Sequence, residues 1–258
     1  MREYYLCCIA KNEDHYIQEW IDYHLKLGFD KIVIYANDWD YNNDHPNVIV
    51  NHVSGWGIQI PVYNHFLESY KNKFFWVAFW DVDEFLVLNK HDNIKLFLDD
   101  YDDLTAIAIN WALFGSNGHK KVINSNYSVL ERFTKRSKNI PFIPGYEYDN
   151  NKNVYHLNRA IKSIVRYNHV GKMYVHEPKG IIFTLNRKPM EGPFNDDVDY
   201  SIAQLNHYFI KSDEENDIRL LVGVPDVGRY KNKQFYEVRD KHCNLVDDFK
   251  ALNFYKAK

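Results

Sequence analysis

Excess charge of one sign, disulfide-forming cysteine, long apolar runs and repeated or low-complexity tracts are all scarce in this sequence, and each absence removes a class of function. The 32 basic and 35 acidic residues leave a formal net charge of -3 over 258 residues, so no global basic field draws the chain to nucleic acid. DNA and RNA are not expected partners. The 3 cysteines include the adjacent Cys7 and Cys8 inside an apolar run, which is neither a disulfide framework nor a zinc-ligand spacing. A reducing compartment suits such a chain. The apolar stretch up to Ala10 is too short to span a bilayer and ends at Lys11-Asn12-Glu13-Asp14, so no transmembrane segment and a cytoplasmic location are expected. The loop after it reads Ala10-Lys11-Asn12-Glu13 with no Gly-x-Gly-x-x-Gly, which disfavours a Rossmann dehydrogenase. No repeat or linker divides residues 1–258, so one domain is expected. The sequon Asn126-Tyr127-Ser128 is expected by chance at this Asn content.

What is present is apolar and aromatic. Hydrophobic residues make up 45% of the chain and aromatics 16%, enough for a substantial core, with flat polar-edged rings that also suit sugar stacking. Tyr4 to Ala10 is a continuous apolar run, the pattern of a strand buried on both faces of a parallel sheet. A helix follows, with Asn12 as its expected N-cap, Ile17, Trp20, Ile21 and His24 at helical spacing, and Gly28 as its stop. Lys31 to Ala36 is a second strand ending in Asn37-Asp38, and the strand-helix-strand unit favours a parallel crossover. Val48 to Val50 reads as a strand, Gln59 to Tyr70 as a helix, Phe74 to Trp80 as a strand, Asn93 to Leu98 as a helix and Thr105 to Trp111 as a strand. This alternation argues for an open α/β sheet flanked by helices. Beyond Phe114 the pattern breaks into loops and short strands such as Ile181 to Thr184.

Ligands in open α/β sheets bind beyond the carboxyl ends of the strands, where this sequence places Lys11-Asn12-Glu13, Asn37-Asp38 and Asp81-Val82-Asp83-Glu84. In an extended or turn conformation Asp81 and Asp83 project to one side, and two carboxylates facing one point suit a hard divalent cation that keeps positions open for diphosphate oxygens. The acidic segment lies between the apolar runs Phe74 to Trp80 and Phe85 to Leu88. That position sets it apart from a solvated acidic face.

The motifs also carry a resemblance. Lys11-Asn12-Glu13-x-x-Tyr16-Ile17-x-Glu19-Trp20-Ile21-x-Tyr23-His24-x-x-Leu27-Gly28-Phe29-Asp30, then Ile32-x-Ile34-Tyr35-x-Asn37, resembles the opening of glycosyltransferase family 92 and its bacterial and viral relatives. Trp80-Asp81-Val82-Asp83-Glu84-Phe85 is similar to that family's Asp-x-Asp-Glu-Phe core. Trp111-x-x-Phe114-Gly115-Ser116 with Gly118, and Asn206-His207-Tyr208-x-x-Lys211-Ser212, resemble later blocks. The resemblance implies a GT-A fold, a UDP-sugar donor, a glycan or glycoconjugate acceptor, Mn²⁺ or Mg²⁺, and inversion at the anomeric carbon. With the change of pattern near Phe114, about residues 1–112 are expected to form the nucleotide-sugar-binding half and about residues 113–258 the acceptor side with the C-terminal metal/diphosphate motif of the same domain. By the same resemblance Asp83 would bind the ion, Asp81 would face the ribose or the ion through water, and His207 would approach the metal or the diphosphate from the C-terminal side. Lys11, Asn12, Glu13, Asn37 and Gln59 would line the nucleotide pocket. Lys211 would meet the diphosphate, sharing a helical face with His207 if that stretch is helical.

His176 rivals His207 for the metal-side role. Lys162-Ser163 and Arg166 either add positive charge near the phosphates or only solvate a helix face, and the second is preferred. An inverting transfer needs a carboxylate base, for which Glu147, Glu191, Asp196 and Asp197 lie in loops, with Glu191 preferred. Two other functions compete. A haloacid-dehalogenase-type phosphotransferase also places Asp-x-Asp after a buried strand, but Glu84-Phe85 follows here where Thr or Val is usual, and the motif comes after several sheet elements. A non-catalytic nucleotide- or carbohydrate-binding protein of the same fold is the other.

Overall fold

The computed structural model describes residues 2–139, 158–169, 171–222 and 232–257. In chain order the elements are β1 (Tyr4–Ala10), α1 (Ile17–Leu27), β2 (Lys31–Asn37), β3 (Val48–Val53), α2 (Gln59–Ser69), β4 (Trp76–Phe79), β5 (Glu84–Leu88), α3 (Ile94–Asp99) and β6 (Ala106–Leu113). They continue with α4 (Val129–Arg132), β7 (Lys135–Arg136), β8 (Ile161–Arg166), β9 (Ile182–Thr184), β10 (Pro189–Met190), β11 (Ala203–His207), α5 (Asp213–Val222), α6 (Lys233–Cys243), β12 (Val246–Asp247) and α7 (Lys250–Lys256).

The expected open α/β sheet flanked by helices is present. A 10-stranded mixed sheet runs β10-β9-β6-β8-β4-β1-β2-β3, with β11 bridging β6 and β5. β1 pairs in parallel with both β2 and β4, and β2 with β3. β8, from the later half of the chain, is inserted antiparallel between β4 and β6.

The continuous apolar run of β1 is explained by burial on both faces. Leu6, Cys8 and Ala10 pack in one cluster with Ile17, Trp20 and Ile21 of α1, while Tyr5 and Cys7 pack in another with Val62, Tyr63 and Phe66 of α2. Period-two alternation thus sends consecutive side chains to opposite helices. α1 ends as expected at Gly28, whose φ of 105° is the left-handed conformation that lets its N–H reach back to the carbonyls of His24 and Leu25. Its start differs from expectation. Asn12 has φ 56° and lies in a turn before the helix, and the residue at the N-cap position is Tyr16, with no side-chain cap. The first free amides, of Tyr16 and Ile17, are satisfied by the carbonyl of Glu13. A backbone acceptor has taken the place of a side-chain cap, which leaves Asn12 and the Glu13 carboxylate available for other contacts.

Parallel pairing brings the ends of β1, β2 and β4 to one edge of the sheet, and the start of antiparallel β8 to the same edge. His207 at the end of β11 stands opposite Glu84 at the start of β5. Asn37 at the end of β2, the acidic segment after β4, Lys162 at the start of β8 and His207 at the end of β11 are therefore delivered to this edge.

Candidate active site

The acidic segment leaves the buried strand β4 in a turn, closed by a hydrogen bond from the Glu84 amide to the Asp81 carbonyl at 3.0 Å. The two carboxylates have different partners. Asp81 Oδ1 accepts from Gln59 Nε2 at 3.0 Å and Asp81 Oδ2 from Lys162 Nζ at 2.9 Å. Asp83 Oδ1 lies 3.5 Å from His207 Nε2, and Asp83 Oδ2 lies 3.1 Å from Arg219 Nη2.

Lys162 corrects an expectation. It lies on β8, not on a solvated helix face, and is fully buried. A buried ammonium needs a paired charge, and Lys162 has Asp81 at 2.9 Å and Glu84 at 3.8 Å. Burial works against its charge, but these carboxylates prevail and raise its pKa. Ser163 donates to the His176 carbonyl, and Arg166 pairs with Asp102 at the opposite edge of the sheet. Glu84 turns inward, accepts the Asp81 amide at 2.8 Å, and is pushed well above the ordinary carboxylate range by burial, against the pull of Lys162.

The loops after β1 and β2 supply the next layer. Lys11 pairs with Asp38 at 3.0 Å. Asn37 is buried; its Nδ2 donates to the Gly55 carbonyl at 3.0 Å, while its Oδ1 has no hydrogen-bond partner among the described residues. A buried orphan acceptor at a strand end is where a ligand donor is expected. Burial raises the Glu13 carboxyl, against the attraction of Lys211 and Arg219.

From the C-terminal side, His207 ends β11 with its ring against Trp111 at 4.2 Å. The stretch from His207 to Lys211 is not helical, so the two do not share a helix face. Lys211 nonetheless reaches the same cluster. Its Nζ sits 3.4 Å from the centre of the Tyr16 ring and 4.0 Å from Glu13, and burial lowers its pKa to about 8, with Glu13 opposing. His176 packs on Trp111 as well, at 5.1 Å; burial lowers its pKa to about 4, so it is neutral at physiological pH.

α5 carries Arg219, which the sequence reading missed; its only cue was the acidic first turn Asp213, Glu214, Glu215 that marks a helix start. The helix is pinned by a buried network. Arg132 grips Glu215 at 2.7 and 2.8 Å, Tyr16 donates to Glu215 at 2.5 Å, and the Ser212 amide donates to it at 3.0 Å. Burial opposes ionisation of Glu215, but Arg132, Ser212 and Tyr16 outweigh it and pull its pKa down to about 2.

The acceptor-side carboxylates are dispersed. Glu191 is exposed just after β10, Asp196 pairs with Arg159 and Asp197 with Lys188, while Glu147 lies outside the described residues. Among the described residues no three His, Cys, Asp or Glu side chains are grouped to hold an ion, and no helix is long and apolar enough to cross a membrane.

Comparison with known proteins adds an independent observation. The family model for glycosyltransferase family 92 matches residues 56–247. A glycosyltransferase family 92 protein of Ricinus communis is 25% identical over 198 residues, covering 69% of this chain and 34% of that protein. The chain thus spans about a third of that relative's length. Two structures of Rv0371c from Mycobacterium tuberculosis, one in complex with manganese, align with TM-scores of 0.30 and 0.28 at 10% and 8% identity, each covering 43% of this chain and 66% of the other. Likeness at that level carries no functional information.

Proposed function

Because the chain belongs to glycosyltransferase family 92, we propose that it moves a sugar from a nucleotide-sugar donor, a UDP-sugar, to a hydroxyl of a glycan or glycoconjugate acceptor, with a divalent cation and inversion at the anomeric carbon. The observation that carries this reading is the meeting of Asp83, His207, Lys211 and Arg219 beside Glu13, at the edge where the parallel strands end.

The residues fit a cation of the Mn²⁺ or Mg²⁺ type. Asp83 and His207, with an oxygen and a nitrogen 3.5 Å apart, are the residues that would hold it. Two protein ligands suffice where substrate phosphates and water complete the shell. Asp81 suits the ion less well, because the Lys162 ammonium lies 2.9 Å from its Oδ2. Held by Lys162 and Gln59, Asp81 is better suited to accepting ribose hydroxyls. When bound, the ion would neutralise charge on the departing diphosphate. Lys211 adds a protein cation to the same task, Lys11, Asn12, Glu13 and Asn37 line the nucleotide side, and Glu191 remains the acceptor-side base in this reading.

The test is calorimetric titration with UDP. Affinity should be higher in Mn²⁺ than in chelator, whereas equal affinity in both would sink the metal-dependent reading.

A further inference from the structure

The position of Arg219 goes beyond a counter-ion for Asp83. Its Nη1 donates to the Phe209 carbonyl at 2.8 Å and its Nη2 lies 3.1 Å from Asp83 Oδ2. The side chain is nevertheless 34% exposed, against 12% for Asp83 and 2% for Lys211. A guanidinium carries five N–H donors in a planar fork that matches phosphate oxygens. Among the described residues those two contacts engage two of the five donors.

A conflict in the charges points the same way. A divalent cation between Asp83 and His207 would sit beside a guanidinium already paired to the same carboxylate. Two positive groups on one carboxylate repel each other. An anion bound between them removes the conflict, because its oxygens can meet the ion on one side and the freed N–H groups on the other. Lys211 lies close enough to Arg219 to feel its charge, so the anion would enter a place bounded by two protein cations.

We propose that Arg219 is a diphosphate-binding residue, which shifts its guanidinium from Asp83 to the phosphate oxygens of a nucleoside diphosphate when donor and cation bind. The assignment rests on the nucleotide-sugar reading above. It implies positive coupling, in which UDP strengthens Mn²⁺ binding and Mn²⁺ strengthens UDP binding by the same factor.

The experiment titrates UDP, uridine and Mn²⁺ alone into the wild type, Arg219→Met and Arg219→Lys, with UDP measured in chelator and in Mn²⁺ and folding checked by melting temperature. Arg219→Met should lower UDP affinity in Mn²⁺ about tenfold or more, lower it less in chelator, leave uridine affinity unchanged, and bind Mn²⁺ alone at least as tightly as wild type. Arg219→Lys should recover part of the UDP affinity. Wild-type UDP affinity in Arg219→Met would reduce Arg219 to a counter-ion and overturn the assignment, and so would an equal loss of uridine affinity. A wild type that binds no UDP in either condition would instead overturn the donor reading on which the assignment stands.

Discussion

Asp81 and Asp83 are two residues apart, yet their partners differ in kind. The ammonium that holds Asp81 comes from the middle of the sheet and is completely buried, whereas the guanidinium on Asp83 reaches in from α5 and is one-third exposed. Lys162 has nowhere else to go, because leaving Asp81 would strand a charge in the interior. Arg219 is one-third exposed, so water or a ligand can reach it. One carboxylate is therefore a fixed element of the site, and in the proposed reaction the other is the exchangeable one, as an ion arriving with the donor would require.

The largest expected effect breaks the exchangeable side. Asp83→Asn preserves shape and removes the charge, so turnover, followed as UDP release from a matched donor at saturating Mn²⁺, should fall by about 10²–10³-fold, with circular dichroism unchanged. Wild-type turnover in this variant would make the acidic cluster structural.

Next comes the anchoring of α5, on which the reach of Arg219 depends. Glu215 has its pKa pulled down to about 2, so its ionised form favours the fold. That contribution is fully present above the ordinary carboxylate range and is lost as pH falls through about 2. Glu215→Gln should cost about 3 kcal/mol near neutrality, and its stability should approach that of the wild type as the pH of denaturant unfolding is lowered from about 5 towards 2. A gap that stays constant with pH would assign the loss to packing.

Lys162→Met probes the fixed side. It removes the ammonium from Asp81 and Glu84 but leaves Asp81 open to water, so a loss of about 2 kcal/mol in urea unfolding is expected, together with weaker UDP binding. An unchanged UDP affinity would mean that Asp81 needs no anchoring. The smallest effect belongs to Lys11→Ala, since Lys11 and Asp38 are both partly exposed; stability should change by less than about 1 kcal/mol, and any larger change in UDP affinity would assign Lys11 to the ligand.

Much of the first half was legible because its elements are local. The both-face burial of Tyr4–Ala10, the stop at Gly28 and the helix expected from Asn93 to Leu98, found at Ile94–Asp99, each follow from patterns a few residues long. Asn12 was misread as a cap because the carbonyl of Glu13 does that work, and a backbone acceptor leaves no mark in side-chain chemistry. Lys162 was misread because a lysine in Ile161–Arg166 looks solvated until the carboxylates facing it, 78 and 81 positions earlier in the chain, are known.

The sequence by itself determined most of the strand-helix order of the first half, the two-sided burial of β1 and the position of Asp81-Val82-Asp83-Glu84 beside a buried strand, because periodicity and capping act over one or two turns of chain. Only the tertiary structure decided which charge meets which. Inserting β8 between β4 and β6 set Lys162 on Asp81, and docking α5 through Arg132 and Glu215 carried Arg219 to Asp83. Those pairings span 81 to 136 positions. Electrostatic attraction depends on distance in space, and over such separations distance in space is set by the packing of the sheet and its helices.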